Sequence, residues 1–155
     1  NELEELEIAS LFHDVGKLKT PDAILLKSRS LDSAEYGEMR HHPEDGAKIL
    51  NKVKPLQKYV EAVKHHHEYY NGKGYPDGLS GDEIPLYAAI ISIADTYDAM
   101  TSTRPYRKAL SKEEACKELE KGAGKQFHPD LVRAFLRAMA SRGQPSFRPY
   151  LKRVI

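Results

Sequence analysis

Six of the seven histidines in this 155-residue chain fall into three groups: His13, His41-His42 and His65-His66-His67. Asp14 follows His13 directly, and two further carboxylates, Asp95 and Asp98, stand three residues apart later in the chain. Imidazole nitrogens and carboxylate oxygens are ligands for divalent metals. His13 and Asp14 could both reach one ion, and a carboxylate can also bridge two ions, which suits Asp14. The single cysteine, Cys116, rules out a disulfide within the chain and a thiolate zinc site. Any metal here is held by nitrogen and oxygen.

These residues need elements to position them. Proline and glycine divide the chain into helical stretches, and no run alternates with a period of two for long. Residues 2–14 are acidic first and apolar later, as a helix start prefers, and Gly16 and Pro21 end them. Asp32 or Ser33 caps a second helix to about Arg40. Pro43 starts a third, with Ala47, Leu50 and Val53 as its inner face, and Pro55 a fourth that runs to about Tyr70. Residues 71–83 hold four glycines and a proline and form a loop. A long helix follows over about 84–102, and two more over 111–122 and 129–141. The expected fold class is all-α.

Helical spacing sorts the histidines. At about 100° per residue, Leu56, Tyr59, Val60 and Val63 form one stripe of the fourth helix. His67 continues the middle of that stripe and His66 its edge, while His65 falls on the opposite side with Lys58 and Glu61. His66 and His67 are therefore expected in the core and His65 in water. One buried imidazole is ordinarily a hydrogen-bonded core residue, but two adjacent ones favour metal. In the long helix, Ile84, Tyr87, Ala88 and Ile91 lead to Asp95 and Asp98, beside a second apolar face of Ile90, Ile93, Ala94, Tyr97 and Met100. Buried carboxylates need a cation. Ion pairs to Arg104 or Arg107 would serve Asp98, whereas metal is the better reading for Asp95. His41 and His42 are alternatives by composition, at a helix junction set by Pro43.

Composition excludes several classes. With 24 basic and 23 acidic residues the net charge is +1, which argues against binding a nucleic-acid polymer. No apolar run reaches the ~18 residues of a membrane helix, and no signal peptide opens the chain. The length suits one domain that buries ~68–70% of its unfolded surface. That domain is expected over 1–140, with a basic tail or linker over 141–155 carrying Arg142, Arg148, Lys152 and Arg153.

Four motifs in order, HDVGKLKTPD (13–22), HHPEDG (41–46), HHEYYNGKGYP (66–76) and IADTYDAMTSTRPYRKA (93–109), together resemble the HD-GYP domain of the HD superfamily of metal-dependent phosphohydrolases. The resemblance implies an HD-type helical bundle with extra helices and a Gly-rich loop, and hydrolysis of cyclic di-GMP to the linear dinucleotide or GMP. It implies two or three divalent metals, most often iron or manganese, with zinc, nickel or magnesium as alternatives. The implied ligands are His13, Asp14 as the bridge, His42 (the histidine directly before proline), His66, His67 and Asp95. Asp14 and Lys17 are the implied catalytic residues. Lys17, Tyr75, Asp98, Arg104 and Arg107 would contact substrate or order the site. Paired metals activate water and hold both the attacking and leaving oxygens of a phosphodiester, which agrees with the residue-level reading.

The family setting implies a bacterial, cytoplasmic location, sometimes as the cytosolic part of a larger sensor. Its implied partners are an upstream sensory or receiver domain, a GGDEF-type protein at the Gly-Tyr-Pro loop, and a second copy of the chain. Asn71 stands where the family commonly has Asp. Twelve residues precede His13, with no histidine among them, whereas the family domain begins with upstream helices that supply another ligand. The domain is therefore expected to be N-terminally incomplete here. Besides the hydrolase, a non-catalytic nucleotide-binding module and a hydrolase of another cyclic dinucleotide or nucleotide are the alternatives.

Overall fold

The computed structural model describes residues 1–103 and 108–141. Helices α1 (Glu2–Phe12), α2 (Asp22–Leu25), α3 (Ser33–Met39), α4 (His42–Leu50), α5 (Val60–His65), α6 (Leu86–Thr101), α7 (Lys112–Gly122) and α8 (Pro129–Ser141) follow one another. Short 3-10 turns at Val15–Lys19, Lys54–Tyr59 and Gly81–Glu83 join them, and no strand forms among the described residues. The helix starts have local causes. The side chains of Asn1, Asp32 and Ser111 each accept from backbone amides of the following turn, and Glu4, Glu35 and Glu114 reach back to complete capping boxes.

Two apolar clusters share α6 as a common wall. Ala9, Leu50, Tyr59, Ala62, Val63 and Ile91 form the first, between α1, α4, α5 and α6. Ile93 and Met100 turn to the other side of α6 and pack with Ala115, Leu119, Phe127 and Val132 in the second. The periodicity of α6 therefore serves two cores. Ala94 and Asp98 are exposed, so this helix is less enclosed than its two apolar stripes suggest. It also starts at Leu86, after Ile84 and Pro85.

Two segments depart from the sequence expectation. Val53 lies beyond the end of α4 and is 45% exposed, so it is no part of an inner face. The fourth helix is also far shorter than 55–70: α-geometry begins only at Val60 and stops at His65. Tertiary hydrogen bonds draw the next residues away. The amides of Tyr70 and Asn71 donate to the carbonyls of Gln126 and Lys125 at 3.1 and 2.9 Å. The expected tail over 141–155 lies outside the described residues from 142 onward. No helix among those described is long and apolar enough to cross a membrane.

Glycine sets one further approach. A Cβ on Gly16 would sit 1.8 Å from the His42 carbonyl oxygen and 2.5 Å from the Gly46 amide nitrogen. Only hydrogen fits, so the turn after His13-Asp14 lies directly against α4. That contact brings the first and second histidine groups together.

Candidate metal centre

His13, Asp14, His42, His66, His67 and Asp95 converge from four parts of the chain. His13 caps α1, Asp14 opens the 3-10 turn, His42 starts α4, His66 and His67 follow α5, and Asp95 projects from α6. The donor atoms of His42, His66 and His67 lie within 4.8 Å of one another. His42 Nε2 is 3.4 Å from His66 Nε2 and 3.3 Å from Asp14 Oδ1. The other oxygen of Asp14, Oδ2, lies 3.3 Å from His13 Nε2 and 2.5 Å from Lys17 Nζ. Asp95 Oδ1 approaches His13 Nε2 at 3.8 Å. Asp14 thus presents one oxygen to each of two histidine groups, the geometry a bridging carboxylate needs.

Three of these imidazoles are aimed by the same device. The Nδ1 atoms of His13, His42 and His66 lie 2.6, 2.7 and 2.6 Å from the carbonyls of Ser10, Met39 and Val63, each three residues back. A carbonyl only accepts, so each Nδ1 carries the proton and each Nε2 keeps its lone pair for the centre. Burial drives His66 down to about 3 and His67 to about 2, with neighbouring imidazoles opposing protonation further. Burial likewise lowers His42. At His13 burial acts in the same direction, but Asp14 and the Ser10 carbonyl outweigh it and the net shift is upward. For Asp14, burial is outweighed by His13 and Lys17, which hold the carboxyl well below the usual range. The result is that His42, His66 and His67 stay neutral beside the ionised Asp14 carboxylate. His13 Nε2 is buried with no hydrogen-bond partner among the described residues. A divalent cation fits this donor set and would satisfy that nitrogen.

Not every expected residue joins the cluster. Lys17 stands on Asp14, but Asp98 is exposed at the far end of α6, and Arg104 and Arg107 lie outside the described residues. Tyr75 reaches the centre's edge, its ring stacked on His67 at 5.0 Å with an interplanar angle of 22°. Its hydroxyl is held in the neutral form by burial.

His65 corrects the sequence expectation. It is only 4% exposed, because the loop after α5 folds back over it. Its Nδ1 meets the Glu61 carbonyl at 3.0 Å and its Nε2 meets Asp77 Oδ2 at 2.9 Å. Both nitrogens are engaged by Glu61 and Asp77, so His65 is buried yet not part of the metal cluster. Lys64 Nζ also reaches Asp77, at 2.5 Å.

Glu68 was missed. It is 2% exposed, and its Oε1 accepts from the amides of Asp77 and Gly78 at 2.7 and 3.0 Å. With a Gly74 that would place a Cβ 2.2 Å from the Tyr69 nitrogen, it fixes the loop that carries Tyr75. The only sequence signal was an acid directly after two inward-facing histidines.

A family model described as an HD domain matches residues 1–131. The chain belongs to the HD domain family. It is 42% identical over 135 residues to a cyclic di-GMP phosphodiesterase of Thermotoga maritima, covering 86% of this chain and 37% of that one. It is 39% identical over 145 residues to a cyclic di-GMP phosphodiesterase response regulator of Xanthomonas campestris, covering 92% and 38%. A 3'3'-cGAMP-specific phosphodiesterase of Vibrio cholerae is 40% identical over 138 residues, covering 88% and 26%. The chain thus spans little more than a third of the length of these relatives at most. Among solved structures, a cyclic GMP-AMP phosphodiesterase of Vibrio cholerae matches with a TM-score of 0.71 at 20% identity, over 91% of this chain and 39% of that one. An HD-GYP-type protein of Bdellovibrio bacteriovorus matches at 0.70 and 21%, over 90% and 44%. The helical fold of this HD domain is the one those proteins share.

Proposed function

We propose that this HD domain is a metal-dependent phosphodiesterase acting on a cyclic dinucleotide, with cyclic di-GMP as the substrate. The observation that carries the proposal is the convergence of four histidines and two carboxylates, three of the histidines presenting a bare Nε2. The names of relatives at about 40% identity support the substrate class.

In this reading His13, His42, His66, His67, Asp14 and Asp95 would hold the metals, Asp14 being the residue that faces both histidine groups. Bound divalent ions supply Lewis acidity toward a phosphoryl oxygen and lower the pKa of a coordinated water. The protein's own groups do the rest. Lys17, anchored on Asp14 at 2.5 Å, places positive charge where non-bridging oxygens gather negative charge. The local hydrogen bonds of His13, His42 and His66 hold the ligands in place before an ion arrives, so little reorganisation accompanies binding. Glu68 holds the loop that places Tyr75 against His67. Arg104 and Arg107 are proposed as substrate-binding residues on the resemblance alone, and Asp98 as one that orders them. Iron and manganese head the candidate metals, since imidazole with carboxylate suits both.

A second reading, hydrolysis of a mixed cyclic GMP-AMP dinucleotide, is favoured by the Vibrio cholerae relative named for that specificity. One experiment tests both. Metal-free protein is reloaded anaerobically with iron(II) or manganese(II) and assayed against cyclic di-GMP, 3'3'-cGAMP and cyclic di-AMP by chromatography of products. Metal-dependent turnover with cyclic di-GMP preferred is expected. Stoichiometric metal without turnover of any of the three would reject the catalytic reading in favour of a binding module.

A further inference from the structure

A small cleft beside the metal centre has the donor and acceptor pattern of one nucleobase. It encloses about 250 Å³ and is lined by Arg40 and Glu44 with Tyr75 and Pro76 of the Gly-rich loop. Drug-sized ligands occupy roughly 300–1,000 Å³, so this space suits one base rather than a whole cyclic dinucleotide. Its wall connects directly to the ligand cluster, since Tyr75 stacks on His67.

Arg40 is the informative residue. Its guanidinium carbon lies 4.4 Å from the centroid of the Tyr75 ring. Three lysines of the surrounding elements are committed to carboxylates: Lys17 to Asp14, Lys19 to Asp45, and Lys64 to Asp77. Among the described residues Arg40 makes no such pair. A guanidinium resting on an aromatic ring keeps its N–H edge for in-plane acceptors, and guanine O6 with N7 is the base edge that best matches that fork. Glu44, in the first turn of α4 and 4.0 Å from the His41 ring, brings a half-exposed carboxylate to the same cleft. A carboxylate accepts from the N1–H and 2-amino groups that guanine presents. Adenine carries an amino donor in place of O6 and has no 2-amino group, so it mismatches both residues.

We propose that Arg40 and Glu44, with Tyr75 as the backing ring, form a guanine-reading subsite of the hydrolase. The proposal deepens the cyclic dinucleotide reading and rests on it. It assigns discrimination between guanine and adenine to the junction of α3 and α4 rather than to the metal ligands.

The test compares wild-type protein with Arg40→Ala, Arg40→Lys and Glu44→Gln, all reloaded with manganese(II), on cyclic di-GMP and cyclic di-AMP. Both side chains are at least partly exposed, and circular dichroism with metal analysis checks that fold and metal content persist. Arg40→Ala is expected to raise KM for cyclic di-GMP roughly tenfold, the scale of a lost bidentate base contact. KM for cyclic di-AMP should stay within about twofold, since adenine makes neither contact. Arg40→Lys should fail to restore the guanine preference, and Glu44→Gln should lower it. An unchanged KM for cyclic di-GMP, or equal losses on both substrates, would overturn the subsite. If the wild type turns over no cyclic dinucleotide, the hydrolase reading falls by itself. The subsite is then judged by calorimetry with GMP and AMP: an Arg40-dependent preference for GMP sustains it, and equal affinities remove it.

Discussion

The contrast between neighbouring histidines shows how little residue type decides by itself. His65 and His66 are adjacent and both buried, yet His65 spends both nitrogens on Glu61 and Asp77 while His66 spends only Nδ1. Replacing His66 by Ala should therefore cost bound metal and activity together. His65→Ala should retain the metal, measured by elemental analysis, but make the 71–78 loop more sensitive to limited proteolysis. Asp14→Asn should abolish stoichiometric metal, because the amide keeps the shape and loses the charge. Acid should act on the metal-free protein with a definite sign. His66 and His67 have folded values of about 3 and about 2, below the ordinary histidine value of 6.5. The unfolded chain thus takes up protons that the folded chain refuses, and stability is lost as pH falls from about 6.5 toward 3. Urea midpoints of the metal-free protein across that window check it, and a midpoint that rises toward acid would refute it. The inward direction of His66 and His67 was legible, because an apolar stripe preceded them. The burial of His65 was not. Its partner Asp77 lies twelve residues away and is held there by its amide's bond to Glu68 Oε1, which no helical projection contains.

At the scale of elements, close approach matters as much as ligation. Gly16 lets the turn carrying His13 and Asp14 lie on the backbone of α4. Gly16→Ala should destabilise by about 1–3 kcal/mol, the usual range for overpacking, and reduce metal occupancy at the same time. Gly37, inside α3 with nothing within 4 Å of its Cβ position, is the control. There alanine should stabilise by roughly 0.5–1 kcal/mol through helix propensity. Chemical denaturation of both variants measures the pair. The helix start at Asp32 or Ser33 was readable from a cap residue, and the all-α class from Pro and Gly punctuation. The early end of α5 was not readable, since its cause is hydrogen bonding to a connection some sixty residues later in the chain.

For the molecule as a whole, α6 divides the interior into two clusters with separate duties. Leu50 and Ile91 lie in the cluster beneath the histidines, whereas Leu119 and Val132 lie in the other. Leu119→Ala should cost about 2–5 kcal/mol of stability, as large-to-small core changes do, while folded protein keeps its full metal content. Leu50→Ala should lower both, read by denaturation and elemental analysis in parallel. The histidine and carboxylate donors are also widely spread along the chain, from residue 13 through 42 and 66 to 95. An ion held by all of them would tie three long segments into closed loops, and closing long loops removes many conformations from the unfolded ensemble. Binding at this centre would then resemble cross-linking, so the protein's resistance to heat becomes a function of free metal concentration.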